Sequence, residues 1–377
     1  MEEKTIEFKT GAGKCPVRFV DEVFGPSDAV TLAMLREVAG VENPRIVVVA
    51  DGNVVQRTPK LGVRMGKYIH DNGIVLAAPP VLLNCGEKVK VHPSAAVDTV
   101  VSTLESAAPG ANDVLVAIGG GSLFDAASFA AAVFAPGCKV VRIPTTVAAF
   151  VDGAFAVEAR LDTKNRKDAL RVPSWASGVI VDFTFLQTIL EGVWKGGFGE
   201  VIRHAASCDA SLMKKIAKSA KSIRDRSSGA GEEILRLAIA SRAKTGGSDF
   251  ALWCANRLEA LSGYKLPHGY AVPISICIEC AYAVRKNLLK PDDQEMICRA
   301  LADSGALDGL DHNIHLIADP AQVLEGLDEW KRLNGTEVRT LLAAPGKRTI
   351  DETADREAYT EVFEELSQVA EETKEEA

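Results

Sequence analysis

The chain has 377 residues, of which 47% are hydrophobic and 25% charged, and its formal net charge is −8. That is material for two domains of an ordinary soluble protein, and the acidic balance argues against a polyanion, so no nucleic-acid partner is expected. No stretch approaches the roughly 18 consecutive apolar residues of a membrane span, and Met1-Glu2-Glu3-Lys4 opens without a basic-then-apolar export pattern. The expectation is a cytoplasmic protein with no membrane partner.

Short apolar runs at Arg45 to Ala50, Gly73 to Ala77, Val114 to Ile118, Lys139 to Ile143 and Gly178 to Val181 read as strands in chain order. Each is followed by a loop rich in Gly, Pro, Asn or Thr, and helical stretches such as the Ala-rich Leu123 to Phe134 lie between them. This alternation predicts a parallel sheet with helices on its faces, an α/β Rossmann-like domain over residues 1–185. From about Leu186 helical periodicity dominates, as in Leu212 to Ser222, Glu232 to Lys244 and Pro320 to Arg332, which predicts an all-helical domain over residues 186–377. A short extended segment is expected near Val338 to Leu342, and Glu361 to Ala377 reads as a helix fraying into an acidic tail.

The eight cysteines show no regular close spacing and read as free thiols. The one close pair, Cys277-Ile278-Glu279-Cys280, lies inside the apolar segment Val272 to Val284 and reads as buried and structural.

In a parallel sheet, ligands bind beyond the carboxyl ends of the strands. The strand ending at Ile118 delivers Gly119-Gly120-Gly121 to the mouth of a helix, where close backbone approach and the first free N–H groups suit a pyrophosphate. At the same edge, Asp51-Gly52-Asn53 offers a carboxylate to ribose hydroxyls, or is a simple Asp-Gly turn. Gly86-Glu87-Lys88-Val89-Lys90 and Pro144-Thr145-Thr146 fall there too, the threonine hydroxyls suiting phosphate or amide contacts.

Taken in order, Asp51-x-Asn53, Gly86-Glu87-x-x-Lys90, Gly119-Gly120-Gly121 with Asp125, Pro144-Thr145-Thr146, Val151-Asp152, Asp182, Gly199-Glu200-Val201-Ile202-Arg203, Leu258 to Tyr264 and His268-Gly269 resemble the 3-dehydroquinate synthase family of sugar phosphate cyclases. The resemblance covers roughly residues 10 to 345. It implies a Rossmann-like N-terminal domain, a helical C-terminal domain, an active site in the cleft between them, NAD used as a recycled catalyst, a divalent metal (zinc or cobalt) and a homodimer. By position it assigns Asp51 and Asn53 to the adenosine side of the cofactor, Glu87 and Lys90 to the ribose region and Gly119, Gly120 and Gly121 to the pyrophosphate. Asp125, Thr145, Thr146, Asp152 and Lys167 would lie along the nicotinamide half, with Asp152 among the catalytic group. Of the metal ligands it implies, Glu200 and His268 are kept.

Other positions depart from the pattern. The middle metal ligand reads Leu252, the second His of the same motif reads Asn256, and Tyr270 follows His268-Gly269 in place of a Glu. A leucine cannot ligate a metal, so two protein ligands stand where an open catalytic site needs three. His204, four residues after Glu200, shares a helix face with it and is a candidate replacement ligand, as are Glu158, Asp249 and Cys254. Glu158 stands in place of a lysine that would face an acidic substrate, and Arg203 in place of a phosphate-contacting lysine. Lys331 lies near a basic substrate contact of the family. His70, His92, His312 and His315 read as structural or solvent-facing. The leading expectation is an NAD-dependent sugar phosphate cyclase, a phosphate-eliminating carbon–oxygen lyase, whose substrate is a sugar phosphate other than the shikimate precursor. The alternatives are an NAD(P)-dependent polyol or alcohol dehydrogenase of the wider superfamily, and a cofactor-binding pseudoenzyme.

Overall fold

The structure, a computed structural model, describes residues 6–11, 13–308 and 310–375, the side chains of 311–312 and 369–375 aside. The chain divides into two compact units, Met1–Thr163 with Asp168–Leu190, and Lys164–Lys167 with Glu191–Ala377.

Among the described residues the first unit holds β1 (Ile6–Thr10), β2 (Gly13–Val20), β3 (Arg45–Asp51), β4 (Val75–Leu76), β5 (Val81–Leu83), β6 (Val114–Gly119), β7 (Lys139–Pro144), β8 (Glu158–Thr163), β9 (Arg166–Pro173), whose first two residues are counted with the second unit, and β10 (Gly178–Asp182). The main sheet runs β1-β2-β10-β7-β6-β3-β4, with β5 also on β3, while β8 and β9 form a separate two-stranded sheet. All pairings of the main sheet are parallel except the β1–β2 hairpin. Strands β3, β6, β7 and β10 are buried nearly end to end, so they read as continuous Val/Ile/Ala runs without alternation. On one face Val48, Val116, Ile118, Val141, Ile143 and Ile180 pack with Met34, Leu35, Tyr68 and Phe185.

All five expected strands are present, although Gly73 to Ala77 contracts to the two residues of β4. The hairpin β1–β2 and the pair β8–β9 carry too many polar residues to stand out as apolar runs. Pro16 sits in β2 without breaking the parallel ladder, because β10 pairs only from Val17 onward. The β6–β7 register sets Gly119 opposite Pro144, and β3–β6 sets Ala50 opposite Ile118. Register alone therefore brings Asp51, Gly120 and Thr145 to one edge.

The second unit packs the helices Glu191–Cys208, Ala210–Arg224, Ala230–Thr245, Leu252–Leu261, His268–Arg285, Pro291–Asp303, Pro320–Asn334 and Arg356–Glu375. The extended segment expected near Val338 is the strand β11 (Arg339–Ala344), and β12 (Lys347–Asp351) pairs with it antiparallel, so the unit is helix-rich rather than all-helical. None of the described helices is long and apolar enough to cross a membrane. The last helix begins at Arg356, five residues earlier than read, and the final two residues of the acidic tail lie outside the described residues.

Two helices approach closely because glycines line their contact. A side chain at Gly196 would come within 3.1 Å of the Gly269 backbone, and one at Gly199 within 2.6 Å of the Pro273 ring. This backbone-to-backbone contact between Glu191–Cys208 and His268–Arg285 brings Glu200 and His268 together.

Candidate functional site

In the first unit the carboxyl edge of the sheet is shaped by backbone. Strand β6 ends at Gly119, Gly120 is the N-cap of the helix Gly121–Phe134, and no side chain caps it. The N–H groups of a first helical turn have no intrahelical acceptor, and the helix dipole adds positive potential there. Each glycine has its own reason. A Cβ at Gly119 would lie 3.0 Å from Leu123 and one at Gly120 3.3 Å from Thr146, whereas Gly121 faces open space. Beside this turn Thr145 donates its backbone N–H to the Gly119 carbonyl at 3.0 Å. Its hydroxyl is buried and has no hydrogen-bond partner among the described residues. An uncapped helix start, open space at Gly121 and an orphan buried hydroxyl together suit a dinucleotide pyrophosphate. Thr146, by contrast, caps the short helix Val147–Val151.

Asp51 is the N-cap of the helix Gly52–Arg57, its Oδ1 accepting from the Asn53 backbone at 2.9 Å and from Asn53 Nδ2 at 3.2 Å. The turn reading and the ribose reading of Asp51 and Asn53 therefore share the same atoms. Glu87 and Lys90 lie on one 3₁₀ turn. Lys90 is buried among carboxylates, 2.7 Å from Asp125, 3.4 Å from Asp168 and 3.8 Å from Asp162. Two residues assigned to different parts of the cofactor, Lys90 and Asp125, thus meet as an ion pair. Asp125 also accepts from the Arg160 backbone at 3.0 Å, and the Arg160 guanidinium pairs with Glu158 and Asp168, each at 3.3 Å. The acidic exchange at Glu158 is answered two residues on by Arg160, which sequence reading passed over. Asp152 ends the turn before Gly153, and Arg142, fully buried, donates to the carbonyls of Gly153 at 3.3 Å and Ala156 at 2.7 Å. Asp182 is buried as a clip, accepting from the backbones of Val23 and Thr184 at 2.8 Å.

In the second unit a chain of alternating charge runs through four segments. Arg203 donates from Nε at 2.8 Å and Nη2 at 2.7 Å to Glu200 Oε2. Glu200 Oε1 lies 3.0 Å from His268 Nε2, His268 Nδ1 lies 2.6 Å from Glu259 Oε1, and Glu259 Oε2 lies 2.7 Å from Lys167 Nζ. Lys167 also sits 5.9 Å from the centre of the Tyr264 ring. Glu200, Arg203, Glu259 and Lys167 are buried, and His268 is partly exposed. Burial works against the charged imidazolium, but Glu259 and Glu200 outweigh it and hold His268 well above the usual histidine range. Burial likewise pushes the Glu200 carboxyl up, yet Arg203 and His268 win and hold it below the usual range. The Arg203 Nη1 donor goes to the Ser248 carbonyl, so this guanidinium braces Glu200. Lys167, assigned to the nicotinamide half, belongs to this chain.

Other candidates stand apart. His204 turns to Ser241 Oγ at 3.1 Å instead of forming a Glu200 chelate. Lys331 is exposed and ion-paired with Glu337 at 2.7 Å. His70 is exposed beside Asp71, His315 lies on a 3₁₀ turn, and the His312 side chain lies outside the described residues. The eight cysteines are free; burial pushes the Cys15 thiol up to about 12 and Cys138 up to about 11.

Residues 80–195 match the model of the 3-dehydroquinate synthase N-terminal domain, and residues 197–314 that of its C-terminal domain. The chain belongs to the 3-dehydroquinate synthase family. It is 26% identical over 319 residues to the 3-dehydroquinate synthase of Pyrobaculum islandicum, covering 78% of this chain and 91% of that relative. Its fold is similar to that of 2-epi-5-epi-valiolone synthase from Streptomyces hygroscopicus with NAD+ and Zn2+ bound, with a TM-score of 0.79, 20% identity and coverage of 94% of this chain and 97% of that one. It is also similar to 2-deoxy-scyllo-inosose synthase complexed with carbaglucose-6-phosphate, NAD+ and Co2+, with a TM-score of 0.76, 16% identity and coverage of 96% and 99%.

The two groups implied by family membership meet this chain differently. The edge at Gly120, Gly121 and Thr145 suits NAD. A divalent cation does not suit the second unit: no group of three or more His, Cys, Asp or Glu among the described residues could hold one. Glu200 and His268 are adjacent, but the residue that the resemblance aligns with a third ligand is Leu252, at the start of its helix, and Arg203 already takes one Glu200 oxygen.

Proposed function

We propose that this member of the 3-dehydroquinate synthase family is an NAD-dependent sugar phosphate cyclase whose substrate is not the shikimate precursor. The observation that carries the reading is the backbone-built anion site at Gly120 and Gly121 with the orphan Thr145 hydroxyl, in a chain that matches both domains of the family. Bound there, NAD would supply a reversible hydride acceptor. The chain's part is to seat the pyrophosphate on the first N–H groups of the helix Gly121–Phe134, with Thr145 donating its hydroxyl and Asp51 and Asn53 toward the ribose. Asp152 and Glu158 are the acidic groups we assign to the substrate, Glu158 tempered by Arg160. In the second unit His268 carries a proton between two carboxylates, an arrangement suited to hold or pass a proton at Nε2. A changed substrate is supported by Glu158, Arg203 and Leu252, which alter the charge and shape the usual precursor would meet.

The test begins with NAD binding by calorimetry, then a panel of sugar phosphates assayed for phosphate release and for reduced cofactor. Phosphate release without net reduced cofactor is the expected result. Net reduced cofactor with a polyol would assign the protein to the dehydrogenases instead. NAD binding with neither reaction would make it a cofactor-binding protein without turnover, and failure to bind NAD would overturn the reading at its base.

A further inference from the structure

We infer that the centre in the second unit works without a metal ion, the Arg203 guanidinium standing on Glu200 as the fixed cation that a divalent metal would otherwise provide. The inference deepens the function proposed above and rests on it, but it is carried by geometry within one unit.

A metal site needs a carboxylate and an imidazole with lone pairs to spare, and a third protein donor. Glu200 and His268 lie 3.0 Å apart, as two donors to one ion would, but the other atoms around them are committed. Glu200 Oε2 takes two hydrogen bonds from one guanidinium, at 2.7 and 2.8 Å, and a guanidinium cannot step aside by losing its proton. Arg203 Nη1 donates to the Ser248 carbonyl, which anchors the cation in place. At the far end Glu259 holds both the His268 Nδ1 and the Lys167 ammonium.

Charge balance points the same way. Arg203 and Lys167 already offset Glu200 and Glu259 one for one, so these side chains leave no net negative charge for a dication to meet. A dication placed beside Glu200 would sit next to a fixed positive charge in a buried setting, with no added carboxylate to compensate. Arg203 and Glu200 are three residues apart on one helix, so their pairing needs no rearrangement elsewhere. The family lysine at this position would present a compact ammonium, whereas arginine offers two parallel donors to one carboxylate.

The test reads metal instead of turnover. The purified protein, made without a metal-binding tag, is measured by elemental analysis before and after exposure to zinc or cobalt, and its thermal melt is compared with and without chelator. The wild type is expected to hold well below one ion per chain throughout and to melt at the same temperature with chelator. Near one ion per chain, lost in His268→Ala, overturns the inference. Arg203→Ala combined with Leu252→His restores a third donor and removes the fixed cation, and is expected to bind about one zinc per chain and to melt higher with zinc. A double variant that melts cooperatively yet takes up no zinc overturns the part assigned to Arg203. Should it not fold, Leu252→His alone, with Arg203 in place, is expected to stay zinc-free, and zinc uptake by that variant also overturns the assignment. Absence of NAD binding in the wild type would undo the proposed function while leaving the metal result standing.

Discussion

The carboxyl edge of the first unit and the ion chain of the second are built from different material. At Gly119 to Gly121 the working groups are backbone N–H groups presented by a strand, a turn and a helix, and the side chains nearby serve mainly to keep the turn tight. From Arg203 to Lys167 the working groups are all side chains, held by helix contacts that place Glu200 beside His268. A backbone-built site persists while the fold does, because substitutions elsewhere leave its donors alone. A side-chain site can be rewritten one residue at a time, and here the side chains from Arg203 to Lys167 form a run of paired charges.

The comparison is broken most directly at Glu259, which is fully buried and answers two cations. Glu259→Ala leaves Lys167 and His268 without their shared anion and is expected to cost about 3–5 kcal/mol of stability by denaturant titration. A loss under about 1 kcal/mol would show that the chain is not a coupled unit.

Gly121→Asp tests the first unit without touching its core, because open space surrounds Gly121. A carboxylate at the start of that helix is compatible with the helix dipole but opposes a pyrophosphate, so NAD affinity is expected to fall about 100-fold with little change in melting temperature. Unchanged affinity would move the pyrophosphate elsewhere.

Glu279 separates titration that is structural from titration at the centre. Burial pushes its carboxyl up to about 7, against the pull of Arg339 and of hydrogen bonds from Tyr359 and Trp253. A carboxyl whose folded value lies above its ordinary 4.5 contributes stability that is fully present below pH 4.5 and is lost as pH rises through about 7. Stability is therefore expected to decline by about 3 kcal/mol across that window, and Glu279→Gln should flatten the slope there. An unchanged slope in the variant would assign the titration to other groups.

Gly269→Ala presses a methyl group to within 2.8 Å of the Gly196 backbone. The expected cost is about 1–3 kcal/mol, read by thermal denaturation, together with a shift in the His268 ring resonances as the two helices separate. Resonances that stay in place would show that the glycine contact does not set the Glu200 to His268 distance.

The parallel sheet and its glycine turn were legible because each strand is a continuous apolar run and the turn is local, within a few residues of both strand and helix. The hairpin β1–β2 and the pair β8–β9 were not, since polar residues such as Lys14, Arg18, Asp162 and Asp168 interrupt any apolar run. Glu200 and His268 were recognisable as a pair through resemblance, but their partners were not. Arg203 reads as a phosphate contact, and the structure adds its donors to Glu200 and Ser248; Lys167 reads as a cofactor contact, and the structure adds its ion pair with Glu259. Thr145 was named for its hydroxyl, and the structure adds that nothing among the described residues satisfies it.

By itself the sequence determined the apolar strands from Arg45 to Val181, the helical run of the second half and the glycine turn at Gly119 to Gly121, because periodicity and turn chemistry are properties of short segments; that Leu252 stands where the family carries a ligand came from resemblance. Only the tertiary structure decided which charges meet. Lys167, Glu200, Glu259 and His268 come from separate segments, and the energy of a buried ion pair depends on distances and desolvation that exist only after the helices pack at Gly196 and Gly269.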